Sequence, residues 1–144
     1  MSTVDKNQTG LASEFFVAAE LFRRKWDVTI SFGSTKKFDL KACKGDFDIT
    51  LQVKGMYATK AGNWNINKAK LKPDDKLFIV FVNLHSDKMD ASPEYYILTP
   101  LEALEFIVDK NRADEPVKQN YLPYSRLKSF KNNWERLEQA CVTV

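Results

Sequence analysis

The sequence predicts an α/β fold with a mixed central sheet flanked by helices, and three observations predict it. Apolar residues recur at three- and four-residue steps near both ends of the chain, two short stretches alternate apolar and polar residues, and one run between them is apolar throughout. With 144 residues, 44% of them hydrophobic, a single domain spanning 1–144 and built on one core is expected.

The elements follow in order. From Thr9 to about Lys25, Leu11, Phe15, Ala18, Ala19, Phe22 and Trp26 form one stripe of an amphipathic helix, with Thr9 as its N-cap. At about 100° per residue, Glu14 falls at the margin of that stripe and Glu20 on the far, wet side. Val28, Ile30 and Phe32 alternate within a first strand, Asp27 to Phe32, closed by a turn at Gly33-Ser34. Phe38 to Cys43 is a second strand, and Lys44-Gly45-Asp46 turns it tightly into a third, Asp48 to Lys54. Residues 55–75, rich in Gly and Asn, are the least regular part. Lys76 to Leu84, with the block Leu77 to Val82, reads as a strand buried on both faces in the middle of the sheet, and His85 as a loop residue. Glu94 to Leu98 is a further strand. Thr99 caps, and Pro100 begins, a helix to about Lys110; 111–124 is a loop holding Pro116 and Pro123; Leu127, Phe130, Trp134 and Leu137 mark a closing helix.

Several function classes recede on composition. There is no basic start followed by an apolar run, and the longest apolar run is too short to span a bilayer, so a soluble, cytoplasmic chain without membrane contact is expected. Cys43 and Cys141 lie far apart with no metal-ligand spacing, which argues for reduced thiols and against structural zinc. A histidine-based triad would depend on the single histidine, and no Gly-rich phosphate loop is present. The net charge of +3 is unevenly spread: residues 1–76 hold 14 Lys and Arg against 9 Asp and Glu, and the remainder 8 against 10. A cationic half of this kind suits a phosphate backbone as well as it suits solubility.

The chemistry concentrates in Asp48-Ile49-Thr50-Leu51-Gln52-Val53-Lys54. Alternation puts Gln52 and Lys54 side by side on the polar face, with Asp39 on the neighbouring strand and Glu14 on the first helix. Magnesium wants hard oxygen ligands and keeps several waters. Asp39, the Gln52 amide oxygen and a backbone carbonyl near Val53 could therefore hold Mg²⁺ or Mn²⁺ against a phosphate, with Glu14 as ligand or outer carboxylate. Lys54 would position the attacking water or neutralise charge developing on the phosphate oxygens. Between scattered lysines Lys60, Lys68, Lys70 and Lys72 stands Trp64. Cations interleaved with an exposed aromatic can grip phosphates and stack on unpaired bases; the alternative is that Trp64 closes the edge of the core above solvated lysines.

The order of Gly10 with Glu14, then Phe38-Asp39-Leu40, then Leu51-Gln52-Val53-Lys54-Gly55 resembles the PD-(D/E)XK nuclease superfamily, with its restriction-endonuclease-like αβββαβ core. The resemblance covers residues 9 to 110. Phe38 stands where the motif has proline, and Gln52 where it has an acid. A group of homing endonucleases in the superfamily is similar in carrying glutamine there, and small Holliday junction resolvases look similar in layout. The resemblance implies a metal-dependent endonuclease acting on DNA, with Glu14, Asp39, Gln52 and Lys54 as its catalytic set. One centre per chain means that cutting both strands calls for a homodimer. The alternative is a non-catalytic nucleic-acid-binding or protein-interaction module on the same fold, in which the charged residues form an ion-pair cluster.

Overall fold

The structure is a computed structural model that describes residues 6–31, 39–108 and 120–142. Its order is α1 (Lys6–Arg23), β1 (Asp27–Ile30), β2 (Leu40–Lys44), β3 (Phe47–Met56), β4 (Asn63–Ile66), β5 (Leu77–Asn83), β6 (Glu94–Leu98), α2 (Pro100–Phe106), β7 (Asn120–Pro123) and α3 (Glu135–Val142). The main sheet runs β1-β2-β3-β5-β6, with β3 and β5 parallel and every other neighbour antiparallel; β4 and β7 pair in a second, two-stranded sheet. The expected class, a mixed sheet flanked by helices, is the class adopted. Phe32, Gly33-Ser34 and Phe38 lie outside the described residues, as does 109–119 with Lys110 and Pro116.

The β2–β3 hairpin turns at Gly45-Asp46, between the paired residues Lys44 and Phe47. Gly45 has φ +62°, the positive value that a tight two-residue turn requires at its first position. β5 is apolar on both faces and interior to the sheet, as expected, but β3 holds the middle position. The parallel step from β3 to β5 is made through β4 and two 3₁₀ turns, Thr59–Ala61 and Lys68–Lys70. A helix is the usual solution for such a crossover; this segment has the Gly and Asn content of turns and lacks an apolar stripe.

Two cores sandwich the sheet. On one face Leu40, Ala42, Ile49, Leu51, Val53 and Val80 pack against Val17, Ala18 and Leu21 of α1 and Trp134 and Leu137 of α3. On the other, Ile79, Phe81, Tyr96 and Leu98 pack against Trp64 and Ile66 of β4, Leu122 of β7 and Ala103 of α2. Glu138 ties α3 to the first core's rim, accepting from Trp26 Nε1 at 3.0 Å and Lys44 Nζ at 2.6 Å.

Several boundaries differ from expectation. α1 is already helical at Lys6, so Thr9 is an interior residue whose carbonyl accepts the Ser13 hydroxyl at 2.7 Å, and not the cap. The buried face of α1 is Ser13, Glu14, Val17, Ala18 and Leu21, while Leu11, Phe15, Phe16 and Phe22 are exposed. The helix is thus rotated relative to the apolar stripe, because Ser13 must meet the close approach at Gly55 described below. At the other end, Leu127 between two 3₁₀ turns and Phe130 at the end of the second belong to the second core and only Trp134 and Leu137 to the first, with the left-handed Asn132 (φ +52°) between them. A three- and four-residue spacing therefore spanned two layers, not one helix. α2 has the cap expected at Thr99, which Glu102 completes into a capping box, and ends at Phe106.

Candidate functional site

The site begins with a difference in strand length. β2 pairs with β3 up to Leu40 opposite Leu51, and β3 runs on to Met56. Among the described residues no strand covers the β2-side edge of β3 beyond that point. Asp39, one residue before β2, turns its carboxylate onto this edge: Oδ2 accepts the Val53 N–H at 2.6 Å, while the Asp39 N–H donates to Leu51 O at 3.2 Å. An ionised acceptor makes such a bond short and strong, so the carboxylate is held in one orientation against the strand. The N–H and C=O of one strand residue leave on the same side, so the Val53 carbonyl also faces the open edge.

Gln52 and Lys54 flank Val53. They pair with Ile79 and Phe81 of β5, both members of the second core, and so project on that face of the sheet. Asp39 and the Gln52–Lys54 strand are thus brought together as the sequence suggested. Glu14 comes from the opposite layer. α1 crosses β3 at Gly55, where a Cβ would lie 2.2 Å from Ser13 Oγ and 3.1 Å from Thr9 O. Only glycine admits the helix this closely. The next residue of α1, Glu14, is buried at 7% exposure, against partly exposed Glu20, which pairs with Arg23 and Arg24. The expectation that Glu14 turns inward holds, while Glu20, expected in water, is only partly exposed.

Oxygen donors dominate this edge. Among the described residues no group of three or more His, Cys, Asp and Glu side chains gathers. The oxygen donors that Asp39, Gln52 and Val53 carry are of the kind a hard divalent ion would take. On the same polar face Asp48 pairs with Lys41 and Lys76, each at 3.4 Å. Hydrogen bonds from those two lysines hold its carboxyl below the usual range.

Lys60, Lys68, Lys70 and Lys72 are all exposed on the crossover between β3 and β5. Trp64 is not on that surface. It is 2% exposed, its Nε1 donates to Val82 O at 3.0 Å, and its ring packs on Phe81, Tyr96 and Tyr124. Its indole closes the core and has no face left for stacking on a base, which corrects its assignment to nucleic-acid contact. A cleft of about 620 Å³ opens beside Lys54 and runs between β3, the Thr59–Ala61 turn and β4.

Some residues escaped the sequence reading. Glu94 gathers His85 Nε2 at 2.6 Å, Tyr96 OH at 2.5 Å and Tyr124 OH at 2.9 Å. Asn83, fully buried, donates to Thr59 Oγ1 at 2.9 Å, and Asn120 accepts the Lys68 N–H at 3.0 Å. An asparagine closing the apolar run Leu77–Val82 was the only available signal; the others depend on contacts far apart in the chain.

No protein-family model matches the chain, and no curated protein matches it. Among solved structures, it is similar to a bacterial homing endonuclease, I-Ssp6803I, with a TM-score of 0.63 at 14% identity, over 98% of this chain and 97% of that one. The likeness is one of fold. A nuclease-like α/β architecture therefore carries the edge just described, and no helix among the described residues is long and apolar enough to cross a membrane.

Proposed function

We propose that the chain is a metal-dependent endonuclease of the PD-(D/E)XK type that hydrolyses DNA phosphodiester bonds, with Gln52 in the place of the motif's second acid. The observation that carries this is the Asp39 carboxylate locked onto the Val53 N–H between Gln52 and Lys54. Asp39, the Gln52 amide oxygen and the Val53 carbonyl would hold Mg²⁺ or Mn²⁺, with Glu14 supporting them from α1. When bound, such an ion polarises the phosphodiester and makes an attacking water more acidic. Lys54 then places its ammonium where negative charge builds on the phosphate oxygens, and the Val53 N–H keeps the Asp39 carboxylate from turning away. Lys60, Lys68, Lys70 and Lys72 take backbone phosphates at some distance, fixing position and not sequence. The similarity in fold to I-Ssp6803I supports the same reading. One centre cuts one strand, so a second copy is the partner that double-strand cleavage would require.

The test is cleavage of a mixed DNA pool in magnesium or manganese. Asp39→Asn, whose amide oxygen can still accept from the Val53 N–H, and Lys54→Ala are each expected to lower the rate by about 100-fold or more, the scale seen when one group acting on transition-state charge is removed, with thermal melts little changed. DNA binding that ignores both the cations and the substitutions, without any cleavage, would instead mark a non-catalytic module.

A further inference from the structure

The cleft beside Lys54 has no part in holding the scissile phosphate, yet it is continuous with that edge. Its floor is apolar and buried: Met56, Ala58 and Trp64 are each no more than 3% exposed. Its rim is polar, with exposed Lys60 and Asn65 and half-buried Tyr57 and Asn63. Its wall is held from several directions. Asn83 bonds to Thr59, the Gly62 N–H closes on Thr59 O, the Tyr124 N–H reaches Gly62 O at 3.0 Å, and the floor indole is fixed to Val82. A buried asparagine committed to this turn makes the concavity a preformed feature.

We propose that the cleft receives a deoxynucleotide turned out of the helix next to the scissile phosphate, so that cutting favours unpaired or distorted positions over continuous duplex. This rests on the nuclease reading above. The volume of about 620 Å³ lies within the range that encloses small ligands, roughly 300–1,000 Å³. It is far too small for a duplex, whose bases are stacked. The chemistry matches one nucleotide: the half-buried Tyr57 beside a base, amides at Asn63 and Asn65 for its polar edge, and Lys60 for a neighbouring backbone phosphate. Because Lys54 borders both the cleft and the open edge, a nucleotide in the cleft leaves its own phosphate ester at that edge. Extrusion costs a few kcal/mol from paired DNA and least from a bulge, which is the source of the preference.

The experiment uses the full chain with a continuous duplex and the same duplex carrying a one-nucleotide bulge of 2-aminopurine. Cleavage is followed in Mg²⁺, and binding is followed in Ca²⁺ by 2-aminopurine fluorescence. The bulged duplex is expected to be cut at least about tenfold faster, within one nucleotide of the bulge, with a fluorescence change on binding. Ala61→Trp and Asn65→Trp, at exposed wall positions, should each bring the advantage below about twofold and remove the fluorescence change. Equal cutting of both duplexes, or a preference untouched by both substitutions, overturns the proposal while the nuclease reading stands. A fluorescence change lost in both variants without any cleavage would support the cleft and reject the hydrolase. Absence of both signals would reject the two together.

Discussion

Gly55 and Glu94 show how single residues set this molecule's geometry. Adding one methyl group at Gly55 drives it into Ser13 and the Thr9 carbonyl, so α1 must lift away from β3. Gly55→Ala is expected to cost about 1–3 kcal/mol in urea unfolding, and Ser13→Ala to recover part of that loss in the double variant. Full additivity would show that the two positions do not meet. Glu94 is governed by opposing effects. Burial raises its carboxyl pKa, but hydrogen bonds from Tyr96, His85 and Tyr124, with Lys131 nearby, outweigh it and leave the pKa below the ordinary glutamate value. Burial first, then the bond to Glu94, pushes the Tyr96 phenol well up, so it donates as a neutral group. A depressed carboxyl stabilises the fold above its unfolded-state pKa, and that contribution is lost as pH falls through the folded value. Glu94→Gln should therefore cost about 1–2 kcal/mol at pH 7, with the gap to wild type closing below about pH 4. An equal gap in melts at both pH values would contradict the assignment.

At the scale of elements, α1 is the sharpest case. Its apolar residues are numerous enough to draw two faces, and the sequence alone favoured the one through Leu11, Phe15 and Phe22. The structure buries Val17, Ala18 and Leu21 with Ser13 and Glu14, because the Gly55 contact fixes the rotation of the helix. Leu21→Ala is expected to cost about 2–5 kcal/mol, and Phe15→Ser less than about 1. The reverse order would restore the sequence-based face. β4 and β7 were illegible for a different reason. Each has four residues, and they pair across a gap of more than fifty, Trp64 opposite Leu122, so even the polar-apolar alternation of Asn63 to Ile66 is too short to name its partner. The capping box at Thr99 was legible because Thr99, Pro100 and Glu102 write it within four residues.

Across the whole molecule, the α/β class was legible because alternation in β3 and the apolar run of β5 are local and strong. The closeness of Asp39 to the strand that bears Gln52 and Lys54, seen in its bond to the Val53 N–H, was legible because a hairpin ties the two segments over a short span. What the sequence did not contain is that, among the described residues, β3 reaches beyond β2, which leaves the Val53 N–H to the Asp39 carboxylate. The same long-range assembly builds the cleft wall from the Thr59 turn, Asn83 and Tyr124. On the proposed reading, the β3 edge is one oxygen-lined cation site shared by residues from separate segments. The most direct measurement is an anomalous difference map from crystals of the protein grown with manganese. A peak is expected at the β3 edge, at about 2.0–2.3 Å from an Asp39 oxygen and the Gln52 amide oxygen. A map with no peak there, or with manganese bound only elsewhere, would contradict it.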